Sequence, residues 1–434
     1  MQGYAFALGL ATFHPKRGEF CLLMSPLLSV TVGIVALLVG KRINQAIPIF
    51  NRLSIPAPVS GGLLFAFVSL FVHLLWSVSL DYDLNARDFL LVYFFTIVGI
   101  NSRISGLRRG GRDFLILVAI LACFMAIQNG VGVVLARFIG LKSAVGLLLG
   151  TVSLVGGHGV AIAWSPSFLE QFDVANAMEI GLASATIGLI LASLSGGPIA
   201  SYLIRRHHLL PSSPGVHRLT ALPAESASAN SNSGDGLDVS PVSYQSILSA
   251  AFAINVCVIA GQLVNAFLAS GGVKLPLFLP CMLVGIIMSN LICSSRKLSR
   301  LLEWQQCTPT LDLVMELSMG VFLSMSLVSL HLWSLAGVLY IVIPIILIQF
   351  LIAILVNIYV IFPLLGKDYD AAVICAGFGG ISIGSTAAGI SNMTAVTQRF
   401  GSSNKGFLVV PLVSAFFLEI FNSSVAIPLS LSLL

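Results

Sequence analysis

A chain of 434 residues with 57% apolar and only 9% charged side chains departs from soluble domains, in which about a quarter of residues are charged. At about 20 residues per spanning helix there is material for roughly twelve spans at most, and the net charge of +5 is dispersed between apolar runs rather than gathered into a nucleic-acid-binding surface. Unbroken apolar runs at 27–39 and 338–356 exclude a transmembrane barrel, whose strands alternate apolar and polar residues.

In chain order, residues 1–23 read as a mobile N-terminal extension. Their short apolar stretch is followed rather than preceded by Lys16 and Arg17, the wrong order for a secretory signal, and Met24 is an alternative start. Apolar runs then predict spans at 24–42, 57–78, 89–107, 114–139 and 177–203, which make a first half, 24–203. A second half, 244–434, holds spans at 244–269, 277–294, 311–330, 335–364 and 406–432. Between them residues 204–243 are rich in Ser, Pro, Ala and Asn with no apolar face to bury, and read as a disordered linker. Two more apolar stretches, 142–165 and 370–397, are interrupted by the glycine clusters LVGGHGVA and AGFGGISIGS. Broken, glycine-rich segments at corresponding places in two halves are expected of re-entrant hairpins at a transporter's binding site. The seven cysteines are scattered without a CxxC pair, so they read as small packing residues rather than a zinc site or disulfide framework.

The halves resemble each other. Ile55-Pro56 parallels Leu275-Pro276, SAVGLLLG (143–150) parallels DAAVICAG (370–377), and Gln128 and Gln349 occupy similar mid-helix places before those segments. This pattern implies an internal duplication. With five spans each, an odd number, the repeats are inverted: an all-α polytopic membrane protein of ten transmembrane helices in two inverted five-helix repeats, each with a re-entrant hairpin. Of the 22 Lys and Arg residues, 16 fall on one side of this topology, which makes that side and the linker cytoplasmic and places both termini outside. The two hairpins then enter from opposite faces and meet near the midplane.

Irregular backbone at membrane depth is tolerated where it lines protein or a water-filled cavity. Glycines at a reversal bare carbonyl and N–H groups, and half-helix ends add partial charges of either sign, which together suit a small anionic solute and a cation. Gly156, Gly157, Gly159, Gly379 and Gly380 are the candidates at the reversals, against the alternative that they merely let helices pack closely. Ser153 and His158 beside the first, and Ser382, Ser385, Thr386 and Asn392 beside the second, offer hydroxyl, imidazole and amide partners. Such groups also bond backbone carbonyls one turn back, and His158 reads equally as a satisfied buried residue, a ligand contact or a proton acceptor. Glu179, Glu316 and Glu419 fall at or within predicted spans, as do Asn129, Asn176 and Asn422. A carboxylate in hydrocarbon costs about 2.5–3.5 kcal/mol and usually marks an ion path. Arg103 reads as a cytoplasmic anchor that snorkels, with attraction of a substrate carboxylate as the alternative. The absence of HExxH, a paired-Asp cluster and a P-loop argues against an enzyme or an ATP-driven pump. The alternative to a secondary transporter is a channel or facilitator using the same hairpins as a filter, although filters are more often built from rings.

The segments IPAPVSGGLL (55–64), FFTIVGIN with SGLRRGGR (94–112), SLVGGHG with AxAW (153–164), GKDYDAAV (366–373), ISNMTAVTQRFG (390–401) and FLVVPLVSAFF (407–417) together resemble the bacterial glutamate:sodium symporter family, from about residue 27 to 430. The resemblance implies a two-domain, inverted five-plus-five repeat and sodium-coupled uptake of L-glutamate or a related small anionic amino acid across the inner membrane. It also implies a homodimer with elevator-like movement of a substrate-carrying core. Gly156, Gly157, His158 and Gly159 match the first re-entrant motif, and Gly380, Gly384, Thr386, Asn392 and Met393 match the second, so sodium is expected near Gly156, Gly157, Gly380 and Thr386. Four places depart from the family pattern: Val160 stands for Thr, Phe378 for His, Ser382 for Gly, and Ala387-Ala388 for Pro-Thr. Lost or gained polar groups there are expected to alter which ligand is satisfied.

Overall fold

The computed structural model describes residues 11–16, 19–52, 55–102, 111–211, 244–271, 275–294, 304–335 and 339–433. Each of the ten apolar segments expected from sequence holds a helix. Seven helices among the described residues are long and apolar enough to cross a membrane, and four shorter apolar helices accompany them. The chain is therefore a helical, multi-pass membrane protein.

Six helices pack together on one side of the fold: α1 (Pro26–Ala46), α2 (Ala57–Trp76), α3 (Asn85–Asn101), α8 (Tyr244–Ser270), α9 (Phe278–Ser294) and α10 (Trp304–Val328). Helix α3 lies against α9 and α10, α1 against α2, and α8 against α9. Ser25 caps α1, its Oγ accepting from Leu28 N at 3.4 Å, and Pro26 follows in the first turn, where its missing N–H costs nothing. Beyond α1, Asn44 donates to Ile55 O at 2.8 Å and accepts from Ser60 Oγ at 2.6 Å, which fixes the reversal into α2. The outer faces of α1, α2 and α8 leave Leu27, Phe71, Leu75, Leu263 and Phe267 exposed. Such faces suit lipid.

The remaining helices form the second group. Helix α4 (Gly111–Phe138) leads into the short α5 (Ser143–Leu147), a π-helical turn (Leu148–Val152), α6 (Gly157–Phe172) and the long α7 (Ala177–His207). In the C-terminal half, α11 (Leu339–Val356) is followed by a π turn (Asn357–Ile361), α12 (Tyr369–Ile381), α13 (Thr386–Phe400), α14 (Asn404–Val413), a π-helical stretch (Ser414–Ala426) and α15 (Ile427–Ser432). Helix α7 packs against α6, α11, α12 and α13. Aromatic rings fill the seam between the groups: Phe94, Phe95, Phe278 and Phe322 stack edge to tilted at 4.5–5.5 Å, and Trp164 meets Phe278 at 6.3 Å.

Two expectations change. Among the described residues of the stretch expected as a mobile extension there are strands: β1 (Ala11–Lys16) pairs antiparallel with β2 (Glu19–Met24), and β2 pairs parallel with β3 (Val78–Tyr82). The cause is legible in β2, which carries Phe20, Leu22 and Leu23, and in β3, which gives β2 a partner between α2 and α3. Helix α7 also runs to His207, four residues into the expected linker, with Arg205, Arg206 and His207 in its last turn, where cations complement the helix's negative end. Residues 212–243 of the linker, and Arg103, lie outside the described residues.

Candidate functional site

Both glycine-rich stretches are broken helices. In the first, backbone angles leave the helical region at Gly150 (φ −96°, ψ −132°), ahead of the expected glycine cluster, and the chain then turns through Val155 and Gly156 into α6. Gly157 takes φ +64°, a left-handed conformation that costs L-residues roughly 1–2 kcal/mol and glycine almost nothing. In the second, α12 ends at Ile381, residues 382–384 turn, and Ser385 caps α13 by accepting from Ala388 N at 3.1 Å. The arms of this second segment pack glycine on glycine: a Cβ at Gly380 would collide with the backbone of Gly389.

The two turns meet. A Cβ at Gly157 would stand 3.7 Å from Gly384 O. Behind them runs α7, whose Gly188 lies so close that a Cβ there would meet Ile383 O at 2.5 Å and Leu154 Cδ2 at 2.6 Å. Ser153 and Ser382, which adjoin the two turns in the chain, are buried, Ser153 Oγ lying against Gly181 of α7, and neither Oγ has a hydrogen-bond partner among the described residues. A buried hydroxyl without a partner calls for water, an ion or a ligand, a state that Ser153 and Ser382 share with Ser289, Ser318, Ser324, Ser423 and Ser424.

The break at Gly150 strips nearby backbone groups of helical partners, and in a dry interior these must be satisfied by something else. Three amide side chains do so. Gln349 of α11 donates Nε2 to Leu149 O at 2.9 Å. Asn129 of α4 accepts from Thr151 N at 3.0 Å and donates to Ser430 Oγ at 2.9 Å. Asn422 donates to Thr151 O at 2.9 Å. Among the described residues the second break has one such tie, Gln128 Nε2 to Ser382 O, at 3.5 Å. Among the described residues Gln128 Oε1, Gln349 Oε1, Asn422 Oδ1 and Thr151 Oγ1 are buried without partners. All are acceptor oxygens of the kind that suits a hard cation.

The other expected residues fall in three groups. At the turns, Gly156 N bonds Thr151 O at 2.9 Å, and Thr386 Oγ1 pairs with Ser414 Oγ. His158 lies 3.0 Å from Thr186 Oγ1, whose own hydroxyl donates to Leu182 O, so the imidazole Nε2 is the donor in that pair. Held in packing instead are Gly159, facing the rings of Phe95 and Phe322, and Gly379, where a Cβ would stand 3.3 Å from Ser195 Oγ. Asn392 belongs with these, donating to Ala192 O at 2.9 Å and Ala376 O at 3.4 Å. Away from the turns, Glu179 sits half-buried in the first turn of α7, within electrostatic reach of His331. That histidine pairs with Asp81 Oδ1 at 3.2 Å, and the carboxylate holds it above its ordinary pKa. The side chain of Glu419 lies outside the described residues. Of the departures, Val160 packs against Gly156, and Phe378 is fully buried edge-on to Phe124 at 5.6 Å. Sequence reasoning missed Thr151, Thr186, Gly188 and Ser414. Only Gly188 carried any signal, a small residue in the middle of a long apolar helix.

Comparison with known proteins matches residues 23–402 to the family described as sodium/glutamate symporter. A sodium/glutamate symporter of Escherichia coli (strain K12) is 34% identical over 403 residues, covering 93% of this chain and 96% of the relative. One from Haemophilus influenzae is 30% identical over 406 residues, covering 91% and 95%. A solved sodium proton antiporter from Methanocaldococcus jannaschii covers 94% of this chain and 99% of its own at 14% identity, a loose likeness with a TM-score of 0.38. With the family match spanning most of the chain, this protein belongs to the sodium/glutamate symporter family, a family of transporters and not of enzymes.

Proposed function

We propose that the chain is a secondary transporter that carries L-glutamate or a closely related anionic amino acid into the cell together with sodium, by alternating access at the two touching turns. The observation that carries this reading is the close approach of the two turns, where Gly384 O lies 3.7 Å from the place a Cβ on Gly157 would take, together with the buried, partnerless hydroxyls of Ser153 and Ser382, which adjoin the turns in the chain. Carbonyl and hydroxyl oxygens supply the hard, neutral ligands that sodium takes. The N-terminal ends of α6 and α13 open at the same place, and their partial positive charge favours a carboxylate. Inward movement of one net positive charge gains about 2.3 kcal/mol per 100 mV of membrane potential.

In this reading the broken segments are re-entrant hairpins of two inverted repeats, 24–203 and 244–434, joined by a cytoplasmic linker. The group containing α4–α7 and α11–α15 is the substrate-carrying core, moving past the group containing α1–α3 and α8–α10. The excess of Lys and Arg on one side supports an inner-membrane orientation with both termini outside. The apolar outer faces of α1, α2 and α8 accommodate lipid or a second copy in a homodimer. Phe378 fills the core against Phe124, so among the departures Ser382 is the specificity position.

The test is uptake of labelled L-glutamate into proteoliposomes with and without an inward sodium gradient, with aspartate and dicarboxylates as competitors. Accumulation that requires the gradient and grows with an inside-negative potential is expected. Uptake indifferent to both sodium and potential would overturn the coupling.

A further inference from the structure

We infer that Gln349, Asn129 and Asn422 form an amide clamp on the first broken segment and act as positioning residues for transport, an inference that rests on placing the site at the two turns. The three side chains come from three separate elements, α11, α4 and the C-terminal π-helical stretch, and converge on two residues, Leu149 and Thr151. Their targets are Leu149 O, Thr151 N and Thr151 O, the backbone groups on either side of the non-helical Gly150. The bonds are 2.9–3.0 Å long and fully buried, since Gln349, Asn129 and Asn422 are at most 4% exposed. An amide donor at a buried carbonyl such as Leu149 O is expensive to remove, because there is no water to replace it, whereas Thr151 O keeps the Gly156 N–H when its amide donor is removed.

Two of the three bonds cross between the halves of the chain. Gln349 and Asn422 lie about two hundred residues and more from the groups that they bind, so the clamp sets the first break in register with the C-terminal half, where the second turn resides. Asn129 extends the same network to Ser430 of α15. Ser153 follows the clamped residues directly, and Gly156 N closes the turn onto Thr151 O, the same carbonyl that Asn422 holds. Loosening the clamp therefore moves Ser153 and the Gly156–Gly157 turn relative to Ser382 and Gly384. The expected consequence is a raised KM for sodium before any loss of maximal rate.

The donor can be made titratable. A carboxyl group at position 349 donates to Leu149 O when protonated and cannot when ionised, whereas a methionine fills the same space and never donates. Sodium-driven uptake by Gln349→Glu and Gln349→Met in proteoliposomes, each as a ratio to the parent protein at the same pH, is measured from about pH 8 to about pH 6. The expected result is a KM for sodium raised about tenfold in Gln349→Met at every pH, and in Gln349→Glu a rise that disappears as pH falls. A Gln349→Glu ratio that stays at the Gln349→Met level at low pH, or a Gln349→Met protein with unchanged KM, overturns the clamp. Should the Gln349 variants fail to fold, Asn422→Asp and Asn422→Leu put the same question to Thr151 O, with the same two outcomes. Ser153→Ala and Ser382→Ala, assayed alongside, separate the two levels of inference. Altered sodium dependence there with no acid rescue at 349 or 422 overturns the clamp alone, and unaltered sodium dependence at both serines overturns the site.

Discussion

The two broken segments differ in how their interrupted backbones are held. At the first, three amide side chains bind Leu149 and Thr151 with bonds of 2.9–3.0 Å. At the second, one amide reaches Ser382 O across 3.5 Å, near the limit of a hydrogen bond, and the turn depends mainly on its own Ser385 cap and on glycine packing between its arms. Glycine content alone therefore does not define a broken helix in a membrane. The first break is immobilised by polar ties from distant helices, the second by the closeness with which its own arms meet.

That contrast can be broken at specific residues. The largest effect is expected at Gly380, where any Cβ runs into the backbone of Gly389; Gly380→Ala should cost about 3 kcal/mol of stability through overpacking, read as a lower melting temperature in detergent and loss of uptake. Next comes Asn422→Leu, which leaves Thr151 O without its side-chain donor and should cost about 1–3 kcal/mol. Gln128→Leu, its counterpart at the second break, gives up only a stretched bond and should cost less than about 1 kcal/mol. Equal losses in these two variants would erase the distinction between the breaks. Gly157→Ala should fall between, at about 1–2 kcal/mol for its left-handed backbone, since the space beyond it is open to 3.7 Å.

The smallest effect is a control remote from both turns. Asp81 beside His331 favours the charged imidazole, so its pKa stands above the usual 6.5. The pair's contribution is therefore complete below about pH 6.5 and fades as pH rises through the raised value. For a partly exposed pair it is worth less than about 1 kcal/mol. Asp81→Asn should remove this component from the pH dependence of melting and leave the ranking of the break variants unchanged.

Much of this arrangement was legible from residues alone, and the remainder for reasons that can be named. The turns at 155–157 and 382–384 were visible because glycine clusters interrupted otherwise continuous apolar runs. The break at Gly150 was not, because a single glycine within LLLGTVSLV reads as an uninterrupted apolar helix. Gln128 and Gln349 stood out as amides in mid-helix, but their partners are backbone carbonyls 254 and 200 residues away, and a carbonyl leaves no trace in a sequence. Asn392 matched a ligand motif, yet the structure spends its amide on Ala192 O and Ala376 O. Glu179 lay close enough to a span end for either role, and its place beside His331 depends on how α7 packs. The N-terminal strands were hidden for a related reason, since a six-residue strand becomes one only when β3 offers an edge.

In the proposed mechanism the two adjoining turns hold the coupling ion. This is tested most directly by the sodium activation curve of glutamate uptake in proteoliposomes, for Ser153→Ala and Ser382→Ala beside the parent protein. Half-saturating sodium shifted upward by about fivefold or more in at least one variant, with melting temperature preserved, is the predicted result for loss of an oxygen ligand. Curves that superimpose on the parent's in both variants would contradict it.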